Sequence, residues 1–365
     1  MQRIRLTLST LMVSSLLAGT AARAQTVTGR VVDAGSREPV AGALVLLRGE
    51  DGAELRTVAD RAGGYTIRAH GPGTYTLLAE RVGYRSSPPE SVRLAAGETV
   101  RHDLRAGAGR VMLAAVTATG RPRACSGNVG RGPEAQVLWE EARKVLAASV
   151  LGGEGEQVEF ITRMYRHLEV LPSPAPRQRR EWTLTARGRP FVVRSVDDLL
   201  AKGYVEPGPD STVFHAVDAQ TILSDAFVQH HCFSVREGGR GRPGLVGLEF
   251  MPLRGLARPD VEGVLWLDRA TAELRRVEYR YTGVGYSGPM ERLGGRMSFA
   301  RLPNGGWIVR DWVVNAPLLD NRVTRDIRAR PRVRGTVVTG GEVMEIRVPG
   351  QAPVAPAAVE ESQRR

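Results

Sequence analysis

Two cysteines and three of the six histidines are the residues of this sequence best placed to form a specific chemical site. Cys125 and Cys232 are the only cysteines, and an even pair in an oxidising compartment favours a disulfide. The bridge would close a loop of about 107 residues, for which the chain-entropy model gives roughly 4–5 kcal/mol. A metal site of Cys232 with His215, His230 and His231 is the alternative. Because consecutive strand residues point to opposite faces, His231 cannot easily join both neighbours around one ion. We therefore predict the disulfide and no metal.

Motifs that carry catalysis in other proteins are missing or stand in the wrong context. No histidine has a glutamate three residues later, as one class of zinc peptidases requires, and no Gly-x-Ser-x-Gly nucleophile elbow is present. Gly239-Arg-Gly241-Arg-Pro-Gly244 matches a dinucleotide-binding pattern, but its proline opposes the helix that this motif must open. Asp268, Glu278 and Asp311 are the candidates for an acid/base pair in an enzyme. Since none has an identifiable partner, we predict no catalytic residues and no cofactor.

Aromatic side chains in the second half of the chain are candidates for lining an apolar cavity. They lie on segments that alternate between apolar and polar residues, as Val277, Tyr279 and Tyr281 do against Arg276, Glu278 and Arg280. The candidate lining residues are Trp266, Tyr279, Tyr281, Phe299 and Trp307. An antiparallel meander must bury one face, and one long helix at Pro133–Val150 would cover that face only in part.

A cluster of arginines follows these strands. Arg328, Arg330, Arg332 and Arg334 alternate, so that an extended chain would place them on one face. Pro331 interrupts the cluster, which favours a solvated sheet edge where charge blocks pairing with another strand. An anion site for lipid headgroups or acidic glycans is the alternative.

The charge pattern argues against a nucleic-acid-binding protein. The formal net charge is +12, but only Lys144 and Lys202 are lysines, so 49 of the 51 basic residues are arginines. These arginines alternate with acidic residues along most of the chain, whereas a nucleic-acid-binding protein concentrates its positive charge on one surface. We expect no nucleic-acid partner.

The first 24 residues have the features of a secretory signal peptide. Arg3 and Arg5 precede an apolar stretch at Leu6–Ala18, and Ala22-Arg23-Ala24 is a cleavage signal. No other apolar run approaches the length of a membrane span. We therefore predict an exported protein, periplasmic or outer-membrane-associated in a Gram-negative source. The Ala/Pro/Glu-rich stretch at 349–365 is predicted to be disordered.

Residues 25–106 show seven short period-2 segments separated by turn residues, which predicts a small β-sandwich. Its last predicted strand is Val100–Leu104. The segments Gly29–Asp33, Pro39–Leu47 and Gly73–Leu77, with Asp60 and Gly63-Gly64-Tyr65, resemble the carboxypeptidase regulatory-like (transthyretin-like) domain. That resemblance implies an accessory sandwich without catalytic residues. Related folds bind starch, so Tyr65, Tyr75 and Tyr84 are either sugar-stacking side chains or, as we prefer, core residues.

After a linker at 107–132, residues 133–348 are predicted to form an antiparallel β-rich, half-barrel-like meander with one long helix and a short helix at Asp197–Gly203. The predicted strands are Val158–Val170, Arg180–Arg187, Pro190–Val193, Gln229–Val235, Leu245–Phe250, Val261–Leu267, Glu273–Tyr281, Arg296–Leu302, Trp307–Val314, Arg334–Val338 and Val343–Val348. The hairpin from Gly263 to Tyr279 resembles a recurring hairpin of LolA-like lipoprotein carriers. Too few residues follow the linker for a TonB-dependent receptor.

The sequence as a whole therefore predicts a mainly β, non-enzymatic, exported cell-envelope protein. Its β-rich domain would bind an amphipathic ligand or a partner, such as an envelope lipid, a glycan or an outer-membrane protein. A carbohydrate-binding protein and a hydrolase with an unrecognised acid/base pair are the alternatives.

Overall fold

The computed structural model describes residues 25–107, 109–113, 116, 132–151, 158–188, 194–207, 212–255, 258–303, 305–319, 331–348 and 352–356. Several sequence predictions lie outside these residues: the signal peptide, most of the linker, Cys125, Arg328, Arg330, the strand at Pro190–Val193 and most of the C-terminal tail. Within the tail, Val354 pairs with Ile346 as an isolated bridge.

The N-terminal part of the chain is a β-sandwich of two four-stranded sheets. Its strands are β1 (Gln25–Asp33), β2 (Leu44–Gly49), β3 (Glu54–Val58), β4 (Gly64–Ala69), β5 (Gly73–Glu80), β6 (Glu90–Leu94), β7 (Thr99–Arg101) and β8 (Leu104–Ala106). One sheet has the order β3-β2-β5-β6, and in the other β1 pairs with β4, β7 and β8. The predicted strand Val100–Leu104 is thus two strands, and both run parallel to β1.

Alternation of apolar residues builds the sandwich core. Val27 and Val31 of β1 are fully buried against Leu47 and Leu77 of the facing sheet, as a half-buried strand of period 2 requires. The turn before β4 is held by Asp60, whose carboxylate accepts hydrogen bonds from the Ala62 and Gly64 amides at 2.8 Å. The predicted sandwich is therefore confirmed.

The C-terminal part is a nine-stranded antiparallel sheet with helices on one side. Its elements are α1 (Pro133–Leu151), β9 (Glu159–Val170), β10 (Ser173–Arg187), α2 (Val196–Lys202), β11 (Val205–Pro207), β12 (Thr212–Phe214), α3 (Ala219–Leu223), α4 (Asp225–His230), β13 (His231–Glu237), β14 (Leu245–Pro252), β15 (Asp260–Asp268), β16 (Leu274–Thr282), β17 (Gly294–Arg301), β18 (Trp307–Leu319) and β19 (Val333–Arg347), with a 3-10 turn at Met290–Arg292. The large sheet has the order β10-β9-β19-β18-β17-β16-β15-β14-β13. The predicted mainly β architecture is confirmed, and the sheet remains open because β10 and β13 form its two edges.

The two faces of this sheet differ in what covers them. On the face that we call the helix face, Leu248, Leu265 and Val277 align across β14, β15 and β16 and are fully buried. Helix α1 lies on this face, in contact mainly with β13–β16 and β18. The opposite face, which we call the open face, carries charged residues such as Glu249 and Arg276. The helix layer therefore leaves the β9–β10 end of the sheet outside its main contacts.

Glycines inside the sheet make room for aromatic side chains on neighbouring strands. A Cβ at Gly341 of β19 would lie 2.4 Å from Trp312 Cζ2, and one at Gly340 would lie 2.5 Å from the Tyr165 ring. The predicted strands Arg334–Val338 and Val343–Val348 lie on either side of this Gly-Gly pair. The structure shows one continuous strand, since the aromatic rings occupy the space that side chains would fill.

Helices α3 and α4 are absent from the sequence prediction, which placed a strand at Gln229–Val235. Each helix begins at a side-chain cap: Asp218 accepts from the Thr221 amide at 2.7 Å, and Ser224 accepts from the Phe227 amide at 3.1 Å. Such N-caps satisfy amides that the first turn leaves unbonded. The caps are the sequence signal that could have found these helices.

Helix α1 also joins the two parts of the molecule. Glu141 and Lys144 are almost completely buried and form an ion pair of 2.6 Å. The Gly83 amide donates to Glu141 at 2.7 Å, and Lys144 donates to the Tyr84 carbonyl at 2.6 Å. An apolar cluster of Leu44, Leu46 and Ala147 lies beside them. The sandwich is therefore docked on α1 through contacts in which Glu141 and Lys144 neutralise each other.

Candidate functional site

Four of the five aromatic residues predicted to line a cavity belong to the closed core on the helix face. Tyr279, Tyr281, Phe299 and Trp307 are all buried in one cluster. The Tyr279 and Tyr281 rings meet edge to face at 5.8 Å, and the Tyr281 hydroxyl donates to the His215 carbonyl at 2.9 Å. Burial raises the pKa of Tyr279 to about 12. All four side chains fill the core, and the hydroxyl groups of the two tyrosines are already hydrogen-bonded.

Trp266, the fifth predicted residue, lies on the open face. It is aligned with Gly247 and Arg276, and Arg242 lies over its ring at 4.6 Å from the centroid. Its indole N–H donates to Glu278 at 3.1 Å. The predicted lining residues are thus divided between two faces, and they do not surround one cavity.

Exposed apolar residues of the sheet lie elsewhere: Met344 is in β19, and two more lie on the helix face of the edge strand β10. Trp182 and Leu184 are 44% and 39% exposed. Trp182 is aligned with Met164 of β9, which is aligned in turn with Gly341 of β19 and, through it, with Trp312 of β18. Since neighbouring strands lie about 4.8 Å apart, this row spans about 14 Å. It forms a continuous apolar surface, because the Trp312 ring and the Met164 sulfur both reach over Gly341.

Further apolar side chains widen this row. Leu168 of β9, Val337 of β19 and Val314 of β18 occupy the same face and are partly buried. We call the apolar strip the set Met164, Leu168, Trp182, Leu184, Val314 and Val337. A partly exposed apolar strip at the end of a covered sheet face is a typical location for a binding surface.

Three arginines lie on the same face, and two of them form a row that crosses the apolar strip between Met164 and Leu168. Arg180 of β10 is directly opposite Arg166 of β9, and Arg177 is opposite Leu168. All three are exposed, and within the described part of the chain none forms an ion pair. The neighbouring arginines of the open face differ in this respect. Arg163 pairs with Glu342, Arg179 with Glu181 and Arg187 with Glu159.

A cleft of about 660 Å³ lies over β13–β16, and it is lined mainly by charged side chains. Two ion pairs lie within it: Arg236 pairs with Glu249 at 3.1 Å, and Arg280 pairs with Glu262. Glu278 accepts from Arg242 at 2.5 Å. These groups have partners of opposite charge, but the lining holds five glutamates and two arginines, so the cleft is net negative.

The carboxylates considered for acid/base chemistry have structural partners. Asp268 accepts from the Ala270 and Thr271 amides at 2.9 and 3.0 Å and so stabilises the turn before β16. Glu278 accepts hydrogen bonds from the Trp266 indole and from Arg242. Asp311 accepts from Arg310 at 2.6 Å and from Ser298 at 3.2 Å. Glu278 also lines the charged cleft together with Glu237, Glu249, Glu262 and Glu291, whereas Asp268 and Asp311 do not line it.

The histidines near Cys232 likewise bond to the backbone. His230 Nδ1 lies 2.6 Å from the Ala226 carbonyl, and His231 lies between the carbonyls of Phe227 and Val261 at 2.8 and 3.1 Å. Among the residues that the structure describes, no group of three potential ligands could hold a metal ion. Cys232 is buried in β13. Since Cys125 lies outside the described residues, the disulfide remains a prediction.

The tyrosines considered for sugar stacking do not form an exposed platform. Tyr65 is buried and donates to the His102 carbonyl at 2.6 Å, and burial raises its pKa. Tyr75 is half-buried and donates to the Gly71 carbonyl at 2.7 Å. Tyr84 is half-buried with Arg81 over its ring at 4.1 Å.

Of the predicted arginine cluster, Arg332 and Arg334 are described and exposed. Arg334 lies in β19 on the open face, in the row next to Glu169 and Thr336, so it does not join the three arginines on the helix face. Arg332 precedes β19 and forms an isolated bridge with Ser287.

Comparison with known proteins identifies the N-terminal unit. Residues 26–106 match the family model of the carboxypeptidase regulatory-like domain, which confirms the resemblance noted in the sequence. None of the curated proteins compared with the chain matches it. In the described part of the chain, no helix is both long and apolar enough to cross a membrane.

Several solved structures have local similarity to this chain. The pilus 2b backbone protein of group B streptococcus is 16% identical, with a TM-score of 0.19, and the match covers 23% of this chain and 42% of that one. A DUF1329 family protein from Desulfovibrio piger is 13% identical, with a TM-score of 0.26, over 62% of this chain and 98% of that one. The major pilin BcpA of Bacillus cereus is 8% identical, with a TM-score of 0.21, over 90% and 89% of the two chains.

The chain spans less than half the length of the first pilin structures that it matches. Because every TM-score lies below 0.5, these similarities contribute nothing to the functional argument. The function must be inferred from the surface of this chain.

Proposed function

We propose that this protein is a non-enzymatic, exported cell-envelope protein whose C-terminal sheet binds an amphipathic ligand on the apolar strip. The carboxypeptidase regulatory-like sandwich serves as an accessory domain fixed to α1. The signal peptide expected at residues 1–24 supports export. One observation carries the binding proposal: Trp182 and Leu184 are exposed on the same face as the main core, at the end of the sheet that the helices leave uncovered.

The physical reason is the cost of leaving large apolar side chains in water. Burying apolar surface contributes about 25 cal/mol per Å², so an apolar chain that covers Trp182, Leu184 and Met164 would be stabilised. Aromatic side chains also provide rigid contact area at a small entropic cost. These properties favour an alkyl or similar apolar group as the ligand part bound here.

The test uses an uncharged apolar fluorescent probe, N-phenylnaphthylamine, with the full-length protein. The wild-type protein should increase the probe's emission with a saturable dependence on concentration. The double variant Trp182→Ser with Leu184→Ser should bind the probe at least about tenfold more weakly, since it removes about 1.4 kcal/mol or more of apolar contact.

The matched control replaces two exposed apolar residues outside the strip, Met112→Ser with Val213→Ser. This control should bind the probe like the wild type. Equal binding by the Trp182/Leu184 variant would show that the strip is not the site. A wild-type protein that leaves the probe emission unchanged would refute ligand binding altogether.

A further inference from the structure

We infer that the ligand carries an anionic headgroup, which Arg166 and Arg180 hold between them at the apolar strip. This inference rests on the proposed function, and it adds the chemical class of the polar part of the ligand. The ligand is thus an anionic amphiphile, such as an alkyl phosphate or a fatty carboxylate.

The first support is the arrangement of charge across β9 and β10. Arg166 and Arg180 are directly opposite one another, and like charges at such positions repel and destabilise a sheet. Both side chains are exposed, and neither forms an ion pair with a described residue. An anion between the two guanidinium groups would remove this repulsion and accept charge-assisted hydrogen bonds from both.

The second support is the contrast between the two faces of the same hairpin. On the open face each arginine has a carboxylate partner, as Arg163 has Glu342 and Arg187 has Glu159. On the helix face Arg166, Arg177 and Arg180 have none in the described part of the chain. Paired and unpaired arginines thus alternate along these strands. The unpaired ones give an excess of positive charge to the helix face, which also carries Trp182.

The third support is the distance between the cationic and apolar groups. Arg166 and Arg180 stand two residues from Met164 and Trp182 along their strands, a separation of about 6.7 Å. One molecule with a charged head and an alkyl chain can therefore contact both rows. Free phosphate would fit the arginines alone, and an anionic membrane surface would contact the whole hairpin, so the experiment must distinguish these sources.

Isothermal titration of the full-length protein with monomeric dodecyl phosphate, dodecyl maltoside and inorganic phosphate makes this distinction. We expect dodecyl phosphate to bind at least about tenfold more tightly than the maltoside, since hydrogen bonds between two charged groups are stronger than those to neutral groups. Binding should weaken as salt is added. Inorganic phosphate should bind much more weakly than dodecyl phosphate.

Two charge variants identify the residues. Arg180→Glu should abolish the preference for the phosphate head while leaving maltoside binding unchanged, and it should stabilise the hairpin by placing opposite charges across the strands. Arg163→Gln, on the open face of the neighbouring strand β9, is the control and should keep the preference.

Equal affinity for dodecyl phosphate and dodecyl maltoside would overturn the anionic headgroup while leaving the proposed function intact. Absence of binding by both would refute the proposed function itself. Tight binding of inorganic phosphate that does not require Trp182 would identify a free-anion site. Adsorption of the protein to phosphatidylglycerol vesicles, without binding of monomeric dodecyl phosphate, would identify a membrane-surface contact. Either result would overturn the inference.

Discussion

The buried charges of Glu141 and Lys144 help to hold the N-terminal sandwich and the C-terminal part of the molecule together. Glu141 and Lys144 satisfy each other and also bind the backbone of the sandwich at Gly83 and Tyr84. Burial raises the pKa of Glu141, while Lys144 acts in the opposite direction. Removing one member of such a pair leaves the other charge without compensation in a poorly solvated position.

We therefore expect Lys144→Met to lower the free energy of unfolding by about 3–5 kcal/mol at neutral pH. The only other lysine supplies the control: Lys202→Met removes an exposed pair and should cost less than about 1 kcal/mol. Urea unfolding monitored by tryptophan fluorescence measures both. Equal midpoints for the two variants would contradict the role of the buried pair.

The Lys144→Met variant should also depend on pH in a defined direction. Without Lys144, burial raises the pKa of Glu141 further, so the folded state binds the proton more tightly than the unfolded state, in which the carboxyl titrates near 4.5. Stability relative to the wild type should then be greatest at low pH and fall as the pH rises above about 4.5. A deficit that is the same at pH 4 and pH 7 would show that Glu141 is not desolvated by this interface.

At the scale of strands, the glycines of β19 decide whether the sheet is continuous. A side chain at Gly341 would overlap the Trp312 ring and the Met164 sulfur, and displacing them would cost about 1–3 kcal/mol. Gly341→Ala should thus lower the urea midpoint, whereas Gly241→Ala, whose added carbon meets nothing within 4 Å, should not. A wild-type midpoint for Gly341→Ala would mean that the rings can move aside at no cost.

The same strands show what local sequence can and cannot predict. Period-2 alternation predicts β9, β14, β15 and β16 closely, because each buries one face against the helix layer or the core. It splits β19 at Gly340-Gly341, since the aromatic rings that replace the missing side chains come from strands distant in sequence. It also misses the role of Trp182. That residue lies within a predicted strand, but its exposure arises because β10 is an edge of the sheet, and edge position depends on the long-range pairing of β9 with β19.

At the scale of the whole molecule, the predicted disulfide would restrict the C-terminal domain around α1. A Cys125–Cys232 bridge would connect the segment before α1 with the edge strand β13. Peptide mapping without reduction should recover these two cysteines in one linked peptide. Cys125→Ser should reduce stability by about 2–5 kcal/mol, because the bridge restricts a long loop of the unfolded chain. Two thiols that react with a labelling reagent in the exported protein would exclude the bridge.

The central claim is that the apolar strip and its arginines form the ligand site, and photo-crosslinking tests it most directly. Full-length protein is irradiated with dodecyl phosphate carrying a diazirine in its alkyl chain, and the labelled peptides are identified by mass spectrometry. Our account predicts labelling in the peptides of β9 and β10, competed by unlabelled dodecyl phosphate and lost in the Trp182→Ser with Leu184→Ser variant. Saturable labelling confined to the charged cleft over β13–β16, or to the sandwich, would contradict it.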